Sequence, residues 1–304
     1  MKILTLFFTL SVLAALAAAP VPDSRHTAES SLPTRQEMRL AEHWFEAITT
    51  GKTHRDSWLG TKLPFSFRIG GRESSEILPT WKLTRSRSTQ GKTDHHKLTW
   101  QDEKSGLRVI WQLRRFLDYP SVEWSFWFEN TGSQPVKIED VQSLALRLSG
   151  SDRGGPFVLH GLNGGRKGTD DMMPLRKELR GLEAESIVLG GDPFPSNLHL
   201  PFFNIEGTSG RGVLVGVGAP HGWWEARFRE RDSQLDVAVK DQSFTIAPGQ
   251  KARGQRILLV LWEGRRLGSG GGQSVGLTPL RRMARRCACR DSHASSSKER
   301  STTF

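Results

Sequence analysis

Asp170 and Asp171, in the glycine-rich stretch HGLNGGRKGTDDMMPL (160–175), and His221, Trp223 and Trp224, in GVGAPHGWWEA (216–226), are the side chains best suited to ligand chemistry. Carboxylates accept hydrogen bonds from hydroxyls in two directions, and a flat ring covers the apolar C–H face of a pyranose. Together they make the chemistry of sugar recognition. Between them runs GGDPFPSNLHLPFFNIEG (190–207), rich in proline and carrying two adjacent phenylalanines. A plainer reading fits the same residues: Asp170-Asp171 caps a turn, and the two tryptophans plug one end of a β-sandwich. Composition leaves both readings open.

The common enzyme signatures fail on single residues. QGKTD (90–94) has the end of a phosphate loop, but Ser86 stands where its first glycine is required. GTSGRG (207–212) is no nucleophile elbow, because Arg211 replaces the closing glycine. His95-His96 lies in a polar stretch read as a solvated hairpin tip. Cys287 and Cys289 have only His293 near them, too few ligands for a metal site, and lie too close together to staple distant parts of a fold. No metal and no cofactor is therefore expected.

The elements that would position these residues emerge from the pattern of the chain. Residues 1–19 contain the apolar run ILTLFFTLSVLAALAAA behind Lys2 and read as a secretory signal peptide, with Ala15 and Ala17 suiting cleavage after Ala17. The run is short for a bilayer span. A secreted or periplasmic location follows, with no membrane contact beyond export. Residues 20–33 read as a linker and 34–52 as a helical lead-in, where Thr34 and Glu37 have capping-box spacing and Met38, Ala41, Phe45 and Ile48 recur at helical intervals. The formal charge of +11 suggests nucleic acid until it is located: Arg281, Arg282, Arg285, Arg286, Arg290, Lys298 and Arg300 crowd a low-complexity tail, 267–304. The body mixes both signs without a basic stripe, so no nucleic-acid partner is expected.

From PFSFRIGG at residue 64 onward the period is two, within a β-domain placed at residues 53–266. In VEWSFWFENTG, Val122, Trp124, Phe126 and Phe128 point one way and Glu123, Ser125 and Glu129 the other, with Trp127 interrupting the polar face. KLTW, LRVIWQLRRF, VQSLALRL, SIVLGG, GVLVGVG, LDVAVK, SFTIAPG and RILLVLWEG repeat the strand pattern between turn signals. So many strands with almost no helix between them predict an all-β fold, a large antiparallel two-sheet sandwich with a short N-terminal helix.

Six segments in order, PFSFRIGGRESSEILPTW, GLRVIWQLRRFLDYPSVEWSFWFENTGSQPVKIEDVQSL, LHGLNGGRKGTDDMMPL, PFFNIEG, GVLVGVGAPHGWWEA and PGQKARGQRILLVLWEG, resemble the amino-terminal β-domain of glycoside hydrolase family 36, the α-galactosidase or melibiase family. The resemblance covers about residues 60–264. It implies a β-supersandwich similar to galactose mutarotase, placed ahead of a (β/α)8 barrel that holds both catalytic aspartates of a retaining mechanism. It also implies a galactoside or related carbohydrate as ligand, with loops of this domain shaping the sugar-site rim or homo-oligomer contacts. Where the family shows Gly-Trp-Ser-Gly-x-Trp, this chain has Gly218-Ala219-Pro220-His221-Gly222-Trp223-Trp224, so only Gly218, Gly222 and Trp224 carry across.

Residues 265–304 are far fewer than the roughly 250 a barrel takes, and their Arg, Ser and Gly composition fits a disordered tail or out-of-frame translation. The expectation is therefore a non-catalytic domain, truncated before its barrel. Two alternatives stand beside it. One is a secreted carbohydrate-binding module using Asp170, Asp171, His221, Trp223 and Trp224. The other is an aldose epimerase, a reading by fold alone that would need a histidine and a carboxylate in one pocket, with His160 and Asp170 as the pair.

Overall fold

The computed structural model describes residues 33–52, 54, 58–150, 156–165, 168–180, 187–207, 210–218 and 222–264. The stretch read as a signal peptide, most of that read as a linker, the tail with Cys287 and Cys289, and His221 lie outside the described residues. Helix α1 (Arg35–Thr50) begins where the sequence places it, because Thr34 Oγ1 accepts from the Glu37 amide at 3.1 Å while Glu37 Oε2 accepts from the Thr34 amide at 2.7 Å. It ends at Gly51, whose φ of 78° is left-handed. Its buried stripe is Leu40, Ala41, Trp44, Phe45 and Ile48, with Met38 half-buried.

Strands follow in chain order: β1 (Ser66–Ile69), β2 (Arg72–Glu73), β3 (Lys82–Gln90), β4 (Thr93–Gln101), β5 (Leu107–Phe116) and β6 (Ser121–Asn130). Next come β7 (Val136–Ser149), β8 (Phe157–Leu162), β9 (Pro174–Leu179), β10 (Ile187–Gly191), β11 (Phe202–Glu206) and β12 (Arg211–Gly218). The last are β13 (Trp224–Arg231), β14 (Gln234–Lys240), β15 (Phe244–Ile246), β16 (Lys251–Arg253) and β17 (Arg256–Glu263). They form two antiparallel sheets. The 7-stranded one runs β10-β13-β14-β7-β1-β2 with β15 on β7, and the 10-stranded one β3-β4-β5-β6-β17-β12-β11-β8-β9 with β16 on β6.

Alternation decides which face is buried. In β6, Val122, Trp124, Phe126 and Phe128 enter the core, while Trp127 turns to the opposite face beneath the Arg253 guanidinium, 5.6 Å from its ring. Aromatic contacts join the layers, with Phe65 stacked on Phe126 and Phe67 edge-on to Phe128, each at 5.0 Å. The helix seals one part of this interior: Trp44 meets Trp124 at 6.0 Å and donates to the Gly60 carbonyl at 3.1 Å. His95 and His96 belong to β4 rather than to a hairpin tip. His96 sits edge-on to Phe45 of α1, because the turn itself is at Gly91 and Lys92. Strand β3 lies at the outer edge of its sheet and is exposed along nearly its whole length.

The FENTG segment shows why its residue types are needed. Asn130 is fully buried, and its Nδ2 donates to Gln134 O at 2.8 Å and Ile246 O at 2.9 Å while Oδ1 accepts from the Gly132 amide at 3.0 Å. A Cβ on Gly132 would collide with the Ser105 carbonyl oxygen. Gly132→Ala is therefore expected to destabilise the fold by about 1–3 kcal/mol, read as a lowered urea midpoint with unchanged slope. A neutral result would show that the Ser105 turn can move aside.

Candidate functional site

Three loops meet at one end of β8, β10 and β12. The first leaves β8 through 163–165 and 168–173, the second joins β10 to β11 through 192–201, and the third leads into β13 through Gly222 and Trp223. Backbone hydrogen bonds lock the first two together: Gly164 N donates to Leu198 O at 2.9 Å and Gly165 N to Ser196 O at 3.0 Å. Glycine is required at both approaches. A Cβ on Gly164 would strike Ser196 O, and one on Gly222, where φ is +81°, would strike Pro193 O. The 192–197 turn is thus held from both sides, and Asn197 closes it by accepting from the Asp192 amide and donating to its carbonyl.

The sequence candidates separate on this frame. Asp170 is exposed in a short 3₁₀ turn, its carbonyl accepting from Asn163 Nδ2 at 3.0 Å, and Asp171 beside it is half-buried. These are the turn positions that the plainer reading describes. Trp224 is 1% exposed and donates from Nε1 to Pro195 O at 2.6 Å, so its ring is a packing element that fastens the turn to β13. Trp223 is half-buried, and its carbonyl accepts from Gln255 Nε2 at 2.9 Å. The aspartate loop reaches the turn through Ser196 and Leu198, the tryptophan segment through Pro193 and Pro195. Beside Asp170 and Asp192 these loops expose three large apolar side chains, Met172 at 54%, Met173 at 53% and Phe194 at 68%.

His160 pairs differently from the sequence expectation. Its Nε2 lies 3.1 Å from Glu206 Oε2, both side chains mostly buried, whereas Asp170 sits out on the loop. The pair stands on the face of the 10-stranded sheet turned away from the core. Phe157, Leu159, Phe203, Ile205, Val213, Leu259 and Leu261 take the inner positions, so His160, Asn204, Glu206, Gly212 and Trp262 alternate outward. There Trp262 Nε1 donates to Asn204 Oδ1 at 2.7 Å, and its indole lies over Gly212, where any Cβ would overlap the ring. Gly212 is the register partner of Glu206. The sequence reading overlooked Asn204, Glu206 and Trp262, which meet only through pairing of β8, β11, β12 and β17.

Among the described residues no group of three His, Cys, Asp or Glu could hold a metal ion. His43 and His54 meet as a parallel stack at 4.0 Å whose ring planes, 3° apart, keep the nitrogen lone pairs from converging.

No family model and no curated protein matches the sequence. Solved structures do. The α-galactosidase from Lactobacillus brevis superposes with a TM-score of 0.52 at 12% identity, over 73% of this chain and 30% of that one. The galactosidase domain of an alpha-galactosidase-sucrose kinase gives 0.51 at 13% identity, over 66% and 30%. The GH36 α-galactosidase AgaA from Geobacillus stearothermophilus gives 0.50 at 14% identity, over 67% and 31%. The chain has the fold of part of a GH36 α-galactosidase. It spans about a third of the length of these enzymes, a share consistent with the amino-terminal β-domain that the sequence resembles. In this GH36-like domain the Trp224 position, carried across from the family pattern, is filled by the buried ring that binds the 192–197 turn.

Proposed function

We propose that this chain is the non-catalytic amino-terminal β-domain of an α-galactosidase-like glycoside hydrolase of carbohydrate metabolism, exported by residues 1–19 to the periplasm or cell exterior. The observation that carries the reading is the fold likeness, which covers 66–73% of this chain but only 30–31% of each enzyme. The site chemistry is in keeping with it. Retaining hydrolysis needs two carboxyl groups about 5–5.5 Å apart across the scissile bond, and Asp170 and Asp171 are neighbours in a turn. The exposed Met172, Met173 and Phe194 give the loop end a surface for a catalytic barrel or a second copy to cover.

Two experiments test this. The 304-residue chain, purified and incubated with p-nitrophenyl α-D-galactopyranoside, is expected to release no p-nitrophenol above the uncatalysed background, and measurable turnover would refute the non-catalytic role. Translation of the gene in all forward frames beyond the codon for Gly264 is expected to reveal a (β/α)8 barrel with an aspartate at the ends of two strands. Finding none in any frame would favour a free-standing carbohydrate-binding module.

A further inference from the structure

The outward face of β8, β11, β12 and β17 holds an arrangement that the fold does not need. An indole at a strand end ordinarily turns freely in solvent, but Trp262 is fixed twice, by its hydrogen bond to Asn204 and by its seat on Gly212. Asn204 itself is 2% exposed, so a polar side chain has been buried to hold a ring that is only half-buried. Directly across the strand pair from Gly212 stands Glu206 with His160 against it. A flat immobilised aromatic ring bordered by a carboxylate and an imidazole meets both sides of a pyranose: the ring takes the C–H face, and the rim takes the hydroxyls.

The geometry points to a neutral hexopyranoside site on this face, with Trp262 as the platform, Glu206 and His160 as hydroxyl partners and Asn204 as the residue that orients the ring. The Glu206 carboxylate next to the platform disfavours phosphorylated and acidic ligands. The site lies on different elements from Asp170, Asp171 and Trp223. It also stands or falls independently of the domain's place in a hydrolase, since it concerns binding by this chain alone.

The test is a titration of the full chain, labelled with ¹⁵N, with methyl α-D-galactopyranoside and methyl α-D-glucopyranoside up to about 100 mM, as millimolar binding requires. The indole N–H resonance of Trp262 is identified by its loss in Trp262→Phe. It is expected to shift saturably, and Trp262→Leu should weaken binding about tenfold or more, the loss of one buried aromatic contact. Glu206→Gln preserves shape and leaves the remaining indole resonances in place, so it separates lost binding from lost folding; it too should weaken binding. Trp223→Ala should bind as the wild type does. A Trp262 resonance that stays still throughout both titrations overturns the assignment, as does binding that disappears in Trp223→Ala and survives in Trp262→Leu.

Discussion

Trp124→Ala should cost about 3–5 kcal/mol, the range for deleting a large aromatic side chain from a packed core. Trp124 is 1% exposed and lies where three elements meet: it belongs to β6, touches Trp44 of α1 at 6.0 Å, and donates to Ser143 O of β7 at 3.1 Å. Truncation therefore opens a cavity and also orphans a buried carbonyl. The same carbonyl's residue accepts through Oγ from the Gln255 amide at 2.9 Å, and Gln255 in turn holds Trp223 and Lys240 by their carbonyls. Denaturation by urea followed by far-ultraviolet circular dichroism gives the number. Trp124→Phe should fall well short of it, and a loss under about 1 kcal/mol for alanine would mean that α1 is not seated on β6 as described.

Asp94 should matter nearly as much, and in a pH-dependent way. Its side chain is 4% exposed, yet it accepts from Thr89 Oγ1 at 2.7 Å, Arg115 Nη2 at 3.1 Å and Arg87 Nη2 at 3.2 Å. Burial pushes its pKa up, but the hydrogen bonds from Thr89 and Arg115 and the charges of both arginines outweigh it, and the carboxyl is held below its ordinary 3.8. A carboxyl with a depressed folded pKa contributes stability above its unfolded value. That contribution fades as pH falls below about 3.8 toward the folded value.

His96, beside it, is held below its ordinary 6.5 by burial and then by the Arg87 charge. It is thus kept neutral in the fold, and it withdraws stability as pH drops below 6.5. Asp94→Ala at neutral pH is expected to lose about 2–3 kcal/mol, because the mostly buried Arg115 then keeps only Glu42, at 3.0 Å, and Thr89 and Arg87 lose their acceptor. In Asp94→Asn the decline of urea midpoint between pH 4 and pH 2 should be shallower than in the wild type, while the decline through pH 6 persists. Equal acid limbs in the two proteins would remove Asp94 from the account.

Much of the architecture was legible in the sequence because burial on one face leaves a mark of period two. LRVIWQLRRF coincides with β5 end to end, VEWSFWFEN lies within β6, and the Thr34–Glu37 pair opens α1. Edge strands that send only one or two side chains into the core left a weaker mark. KLTRSRSTQ of β3 and PLRKEL of β9 lie on the two outer edges of the 10-stranded sheet, polar and exposed, and were passed over. The adjacent tryptophans misled for a related reason. Trp224, Ala226 and Phe228 already alternate as the buried side of a strand, so Trp224 had to turn inward and could not share a surface with Trp223.

The outward-facing group was illegible for another cause. Glu206 lies 46 residues from His160, and Trp262 lies 58 residues from Asn204. Only strand register unites them, and one sequence read alone carries no signal of register between distant strands.

The clamping of the 192–197 turn bears on how quickly the covering surface proposed above would come and go. Met172 and Phe194 are displayed from backbone already fixed by Gly164, Gly222 and the Trp224 indole, so a surface landing on them immobilises little that was moving. Encounter would then proceed at the ordinary orientational rate with no slow rearrangement after it, and residence time would follow the apolar area covered.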